Sequence, residues 1–438
     1  MCSQQTPCTC RRRSASVSGR PHSSVKPLFA GGTGSWFAAF GIQSVLFTWL
    51  VAMVLNESPV NVGVAQMAFL LPSTLLLLIG GSVADRFGPR SMVLRFQALA
   101  LLPLGALLYM LRADGLTFNG LLAYALCMGT VQAFVTPARD GLLNQVAGSA
   151  VQRAVVLTSM VQFGVQMLGL GLSMLTDWFG PEPLVVTQMV VLLIGVVAFA
   201  RIPAALDQPA GQNVGGTLGV PEQVRKPALL AAVLQSLREG AVTVFASAPM
   251  RSIIWLNIAM GLFFMGAYMV ATPLWIREFF STDTSALAGL NAANSLGLFL
   301  MVGLLLRLGT IGRPGRALLV AQMIGGLVLA LGVLPMGYWT FVFMIFVWGL
   351  CGGVAMSMSR SVMQELAPAG QRARVMSFYS LAMMGAGPLG ALWAGFLCDQ
   401  IGSRQTLLVN GLGMTCLAAV VYLSRSLAEL QSTSEQPG

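Results

Sequence analysis

Gly80-Gly-Ser-Val-Ala-Asp-Arg-Phe-Gly-Pro-Arg90 is a short charged turn set between two long apolar runs. Its three glycines permit a tight reversal and a close approach of the flanking segments. To either side, runs of about 20 apolar residues alternate with short breaks, the length that carries a helix across a hydrocarbon core of roughly 30 Å. The runs are predicted at 35–55, 62–82, 91–111, 117–136, 153–175 and 183–202, then at 252–273, 285–306, 315–334, 338–358, 374–397 and 404–423. Each has to satisfy its backbone internally, because lipid offers no hydrogen bonds. Composition agrees: 56% of residues are hydrophobic and 9% charged, against about 25% charged in soluble chains. Such a surface needs lipid to cover it.

Charge sets the orientation. With the N-terminus placed inside, the 25 Lys and Arg fall on the cytoplasmic side except Arg112, Arg277 and Arg404, while the acids are shared between the faces. That is the pattern expected when positive charge alone directs topology. Basic residues scattered over alternate loops do not form a phosphate-binding face, so the +10 net charge predicts no nucleic-acid partner.

Residues 1–33, rich in Ser and Arg and free of acids, read as a disordered basic cytoplasmic arm without a signal-peptide core. Residues 34–202 form a first six-helix bundle, 203–251 a cytoplasmic linker, 252–423 a second bundle and 424–438 a cytoplasmic tail. Pro203, Pro209, Gly211, Gly215, Gly216 and Pro221 make the start of the linker irregular. Beyond them, 228–245 spaces Leu230, Val233, Leu234, Leu237 and Ala241 as an amphipathic helix on the inner membrane surface. Cys8-Thr-Cys10 with His22 matches no standard zinc spacing, and the cysteines of the apolar runs stand singly, so neither metal nor disulfide is expected.

The halves repeat. Asp177-Trp-Phe-Gly180 and Asp399-Gln-Ile-Gly402 open similar turns 222 residues apart, and Gln152-Arg153-Ala154 answers to Gln371-Arg372-Ala373 at nearly the same spacing. Within the first half, Asp85-Arg-Phe-Gly88-Pro and Asp177-Trp-Phe-Gly180-Pro lie 92 residues apart, on opposite faces. A three-helix unit used four times, with inverted pairs in each half, is an organisation of secondary transporters.

Gly81-x-Val83-Ala84-Asp85-Arg86-x-Gly88-x-Arg90 resembles the G-x-L-A-D-R-x-G-R/K signature between the second and third helices of the major facilitator superfamily. The likeness extends over nearly everything after the arm. Thr136-Pro137-Ala138-Arg139, Arg372-Ala-Arg-Val-Met-Ser377 and Gly385-Ala-Gly-Pro-Leu-Gly390 look similar to the bacterial exporters that include the enterobactin and macrolide efflux proteins. The resemblance implies an all-α membrane protein, with twelve transmembrane helices in two pseudo-symmetric six-helix bundles and both termini cytoplasmic. It also implies a cytoplasmic gate built from Gly81, Asp85, Arg86, Gly88, Arg90, Arg139, Asp140, Arg360, Glu365 and Arg374. There Asp85 meets the positive start of the eleventh helix near Arg374, and Arg86 and Arg90 pair with Asp140 or Glu365. One departure weakens the likeness to exporters: their Gly-Pro pair in the fifth helix is missing from Gly164-Val-Gln-Met-Leu-Gly-Leu-Gly171.

A substrate path in such a fold lies near the bilayer midplane between the halves. Gln43, Gln132, Gln162, Gln166, Asn257, Asn291 and Asn294 put amides deep inside the runs, where they line a polar cleft or bond helix to helix at about 0.6–2 kcal/mol. Trp348, Tyr379 and the methionines at 260, 265, 269, 344 and 356 offer an adaptable apolar lining or ordinary packing. No ionisable residue lies near the middle of a run, although such groups are the usual marks of proton relays. The proton gradient that the resemblance implies as energy source is therefore expected to act through the end acids Glu57, Asp140, Asp177, Glu278 or Glu365, or not at all.

No Gly-x-x-x-x-Gly-Lys-Ser/Thr, His-Glu-x-x-His or Gly-x-Ser-x-Gly occurs, so neither an enzyme nor a bound cofactor is expected, and Gly31-Gly-Thr-Gly34 reads as a flexible lead-in. The expected function is export of a small neutral or amphipathic molecule, siderophore- or antibiotic-like, across the bacterial inner membrane by a monomer using alternating access. A nutrient importer of the same fold and a non-transporting membrane sensor are the alternatives.

Overall fold

The computed structural model describes residues 22–147, 151–203, 229–280, 283–308, 311–368, 371–425 and 427, and every regular element among them is helical. The first half contains α1 (His22–Trp49), extended by a π-helical turn (Leu50–Val54), then α2 (Pro59–Phe87), α3 (Pro89–Leu99) and α4 (Leu101–Arg112). It continues with α5 (Phe118–Ala147), α6 (Val151–Ser173), the short α7 (Thr176–Phe179) and α8 (Glu182–Ala200). The linker contributes α9 (Leu229–Ala246). The second half holds α10 (Ala248–Ala259), π-helical stretches at Met260–Met265 and Ala267–Ala271, and α11 (Thr272–Phe279). It ends with α12 (Thr284–Leu308), α13 (Pro314–Ala330), α14 (Tyr338–Leu366), α15 (Arg372–Ile401) and α16 (Ser403–Leu423). Stacked end to end, α3 with α4 and α10 with α11 each make one crossing. Among the described residues, 11 stretches are long and apolar enough to span a membrane, and α6, with 23 residues, completes the twelve.

The crossings reach further than hydropathy predicts. α1 begins at His22, so 22–33 are not a disordered arm: Val25 and Phe29 are buried beside Phe199 and Ile202. The Phe29 and Phe199 rings meet edge-on at 6.2 Å. Nor is Gly31–Gly34 a lead-in, since it lies within α1, where a Cβ on Gly32 would come 2.6 Å from the Phe199 ring. Apolar anchors and satisfied backbone carry a helix past the lipid boundary, and a hydropathy window registers only the lipid. Residues 1–21, including Cys8 and Cys10, the irregular part of the linker and the last eleven residues lie outside the described set.

Proline accounts for two interruptions. Pro103 cannot donate and crowds the carbonyl of Leu99, four residues back, so the third crossing breaks at Ala100. Pro273 does the same in the seventh crossing, whose backbone opens into π turns just before it.

In the first bundle α1 packs on α6 and α8, and α2 on α5; in the second, α12 packs on α14 and α13 on α16. Lipid supplies no hydrophobic drive between helices, so small residues and interhelical polar bonds hold them. A Cβ on Gly169 would lie 3.1 Å from the Gly41 Cα. Gln97 donates to Ser35 Oγ and to the Leu192 carbonyl, each at 3.1 Å.

The bundles meet along α2–α15 and α6–α12. At the outer end, opposite the basic turns, the seam is tight: a Cβ on Gly63 would lie 2.7 Å from the Ala391 carbonyl oxygen. Across the same end Arg277 donates to the carbonyls of Ala52 at 2.8 Å and Glu57 at 2.9 Å. At the basic end, α9 packs on the start of α15. Glu239 pairs with Arg374 there, the Thr243 hydroxyl donates to Gln371, and the Phe245 and Phe378 rings lie 6.1 Å apart.

Candidate functional site

A cavity with about 480 Å³ of space unoccupied by atoms lies between the bundles. From the first bundle, α1 presents Phe40, Gln43, Ser44, Phe47 and Thr48 to it, and α2 presents Gln66 and Phe69. From the second come Tyr268 and Met269 on the π-helical stretch, Pro273 on α11, and Leu287 and Asn291 on α12. A second, narrower cleft, with about 300 Å³ of space unoccupied by atoms and partly open to solvent, shares Phe40, Gln43 and Phe69, and extends into the first bundle past Trp36, Gln132 and Gln188. No residue lining either cavity is ionised at neutral pH.

The polar groups of the wall are held in place. Gln43 Oε1 accepts from the Tyr124 hydroxyl and, at 2.9 Å, from Gln188 Nε2. Its Nε2 is buried without a partner, a donor set at the junction of the two cavities. Gln66 donates to Thr48 Oγ1 at 2.9 Å, and Thr48 in turn donates to the Ser44 carbonyl at 3.0 Å. Aromatic faces complete the surface: Phe47 lies 6.0 Å from Phe69 and 6.1 Å from Tyr124, ring to ring. Tyr268 is backed by Trp348 at 6.1 Å. The wall can therefore offer dispersion contacts and a few fixed amide and hydroxyl groups, without an ion-pairing partner.

The amides singled out in the sequence are distributed over several surroundings. Gln43 and Asn291 line the larger cavity and Gln132 the smaller. Gln162 and Gln166 lie half-buried on α6. Asn257, 1% exposed, accepts from Ser359 at 3.0 Å, and Ser359 accepts from Tyr379 at 3.2 Å, an interhelical network inside the second bundle. Asn294 donates to the Ile345 carbonyl at 3.4 Å, tying α12 to α14. Trp348 stands behind the wall. Gln66, Gln188, Tyr124, Tyr268 and the phenylalanines were missed by sequence reasoning. Gln66 and Gln188 carried the same signal as the other amides; the aromatics carried none.

The residues expected to form a gate lie at the basic end. Gly88 stands between α2 and α3 with φ +89°, a conformation that favours glycine. Gly81 has room, since a Cβ there would meet Pro137 only at 3.8 Å. Arg86 is exposed over the Phe87 ring. Arg90 donates to the Ala200 carbonyl at 2.8 Å, and the Asp85 side chain lies outside the described set. Arg139 is buried, with its guanidinium 4.5 Å from the Phe37 ring centre and 3.6 Å from Asp140. Glu365 accepts from Ser361 at 3.5 Å, Arg360 is exposed, and Arg374 faces Glu239 of the linker helix.

The other end acids have settled partners. Glu57 accepts from Asn61 at 2.6 Å, Glu278 accepts from the Ser403 hydroxyl, and Asp177 accepts from the backbone amides of Thr284 at 2.7 Å and Ser285 at 2.8 Å.

Over 427 residues the chain is 26% identical to a protein described as the multidrug efflux pump Tap of Mycolicibacterium fortuitum, covering 93% of this chain and 97% of that one. Among solved structures it superposes on the nucleoside transporter NupG with TM-score 0.68 at 12% identity, over 91% of this chain and 98% of the other. A POT family transporter in complex with a thioalcohol-conjugated peptide gives TM-score 0.71 at 14% identity, over 93% and 97%. The family model described as Major Facilitator Superfamily matches residues 29–391 and again 254–438, together nearly the whole chain, and the chain belongs to that superfamily.

Proposed function

We propose that the protein exports small, uncharged, partly apolar organic molecules of an antibiotic-like kind across the bacterial cytoplasmic membrane, rocking two bundles about the central cavity as a monomer. The observation that carries the reading is the lining: aromatic faces and amides contributed by both bundles, with no ionised side chain among them. Such a wall gives an anionic chelator or a charged nutrient no counter-ion, so siderophore-like cargo fits only in neutral form. Similarity to a protein described as a multidrug efflux pump supports the outward direction. Energy comes from proton antiport in this reading. Among the end acids, Asp140 beside Arg139 is the carrier we favour.

The test is accumulation of a neutral fluorescent amphiphile in inverted membrane vesicles with an acidified interior. Export predicts gradient-driven accumulation that a protonophore collapses. Uptake by right-side-out vesicles alone indicates import, and flux in neither sinks the transport reading. Asp140→Asn is expected to abolish gradient-driven accumulation while leaving cargo exchange intact; undiminished accumulation removes Asp140 from the role.

A further inference from the structure

The turn Asp85-Arg-Phe-Gly88 has a structural twin on the outer end. Gly88, Gly180 and Gly402 are the glycines with positive φ among the described residues, at +89°, +78° and +84°, and each follows an aspartate by three positions: Asp85, Asp177 and Asp399. The chain thus folds the same reversal in three of its four three-helix units. In the second copy the aspartate has a visible task. Asp177 Oδ1 accepts from the Thr284 amide at 2.7 Å and Oδ2 from the Ser285 amide at 2.8 Å. These are two of the unsatisfied donors that open α12, at the positive end of its dipole.

The two partners belong to different bundles. Asp177 lies on α7, between α6 and α8 of the first; Thr284 and Ser285 begin α12 of the second. Both bonds cross the seam at its outer edge, where Arg277 also reaches the Ala52 and Glu57 carbonyls and Gly63 meets Gly395. A rocking motion that parts the outer ends must break the Asp177 cap. The internal repeat makes α15 the counterpart of α12, each being the middle helix of a three-helix unit. The start of α15 faces the basic end, where Glu239 and Thr243 of α9 engage Arg374 and Gln371.

We propose that Asp177 is an outer latch: its carboxylate caps α12 only while the outer ends are together, and so sets the resting balance toward the outer-closed state. It is a positioning residue of the transport cycle and touches no cargo. The proposal rests on superfamily membership and on alternation between two bundle arrangements, not on the identity or direction of the cargo.

The test measures conformation rather than flux. Spin labels are placed at the exposed outer positions 119 and 340, on α5 and α14, by Asn119→Cys and Thr340→Cys in an otherwise cysteine-free protein in lipid nanodiscs. Distance distributions are then recorded with and without Asp177→Ala, which removes both acceptor oxygens. Loss of the cap is expected to raise the open-to-closed ratio about 2- to 30-fold, the range found for helix caps.

Thr284→Pro is an independent variant. It deletes one of the two amide donors at the first position of α12, where proline is well accommodated, and should shift the ratio in the same direction by a smaller factor. It also keeps the test decisive if Asp177→Ala fails to fold. Distributions for the variants that superimpose on the parent overturn the proposal. A shift in distances without flux of any cargo supports the latch and counts against the exporter; flux with unshifted distances does the reverse.

Discussion

Gly395→Ala should open the outer seam. A Cβ at this position would lie 2.7 Å from the Pro59 carbonyl oxygen, 3.0 Å from the Gly63 Cα and 3.2 Å from the Gly63 amide nitrogen. All three obstacles are backbone, so no side chain can swing aside. Carbon–oxygen contacts settle at about 3.3–3.6 Å, so α2 and α15 must separate at this level by about 0.6–0.9 Å. Overpacking of that kind costs about 1–3 kcal/mol. The cost falls on the outer-closed arrangement alone, because the two helices part there when the seam opens. Converted to populations, the open-to-closed ratio rises by about 5- to 150-fold.

The assay is the labelling rate of a cysteine at 291, on the cavity wall, by a membrane-impermeant maleimide applied from the outer side. Asn291→Cys alone should react slowly and the Gly395→Ala double variant faster by that factor. Gly164→Ala and Gly171→Ala are matched controls on α6, since no neighbouring heavy atom lies within 4 Å of either added Cβ. An unchanged rate for Gly395→Ala, or an equal increase for the controls, would refute the reasoning.

Gln43→Ala removes the acceptor shared by Tyr124 and Gln188; each buried donor so stranded costs about 1–3 kcal/mol, which thermal unfolding in nanodiscs would register as a lower Tm. At the basic end, Gly240→Ala would drive a Cβ to 2.5 Å from the Arg374 carbonyl oxygen and should undock α9, read as faster amide exchange over 229–246. By contrast, Glu239→Gln breaks a half-exposed ion pair worth about 0–1 kcal/mol and should change that exchange little. For Asp177, partial burial pulls the carboxyl upward, but hydrogen bonds from Ser285 and Thr284 outweigh it and hold the group below its ordinary range. A lowered folded value means that the latch is fully present above about pH 4 and is lost only as pH falls through the depressed value. The shift in outer distances caused by Asp177→Ala should therefore be the same from pH 8 to 5, and a shift that vanishes near pH 6 to 7 would contradict the assignment. Such a group also makes a poor proton carrier at neutral pH.

Much of the architecture was legible in the residues. The turn at Asp85, its twins at Asp177 and Asp399, and the spacing of the apolar runs expose twelve crossings and their internal repeat, because lipid demands length and apolarity from every span. The ends of the helices were less legible: Val25 and Phe29 anchor α1 well before the first hydropathic run, through burial against Phe199. In the cavity, Gln43, Gln132 and Asn291 were recognisable as amides out of place in lipid. Phe40, Phe47, Phe69 and Tyr268 were not, since an aromatic residue facing a cavity reads the same as one facing a neighbour. Asn257 and Asn294 show the converse, amides of the same appearance used to bond helices together.

Sequence alone determined that this chain spans a membrane as two related halves, because length, apolarity and the placement of charge are properties of each segment taken singly. Tertiary structure decided which faces of those segments look inward, since helices apolar on every side carry no periodicity to reveal their rotation. It also decided that Asp177, which the repeat marks only as opening a turn, caps a helix of the opposite bundle. That bond depends on how the two halves lean together, and no single segment records it.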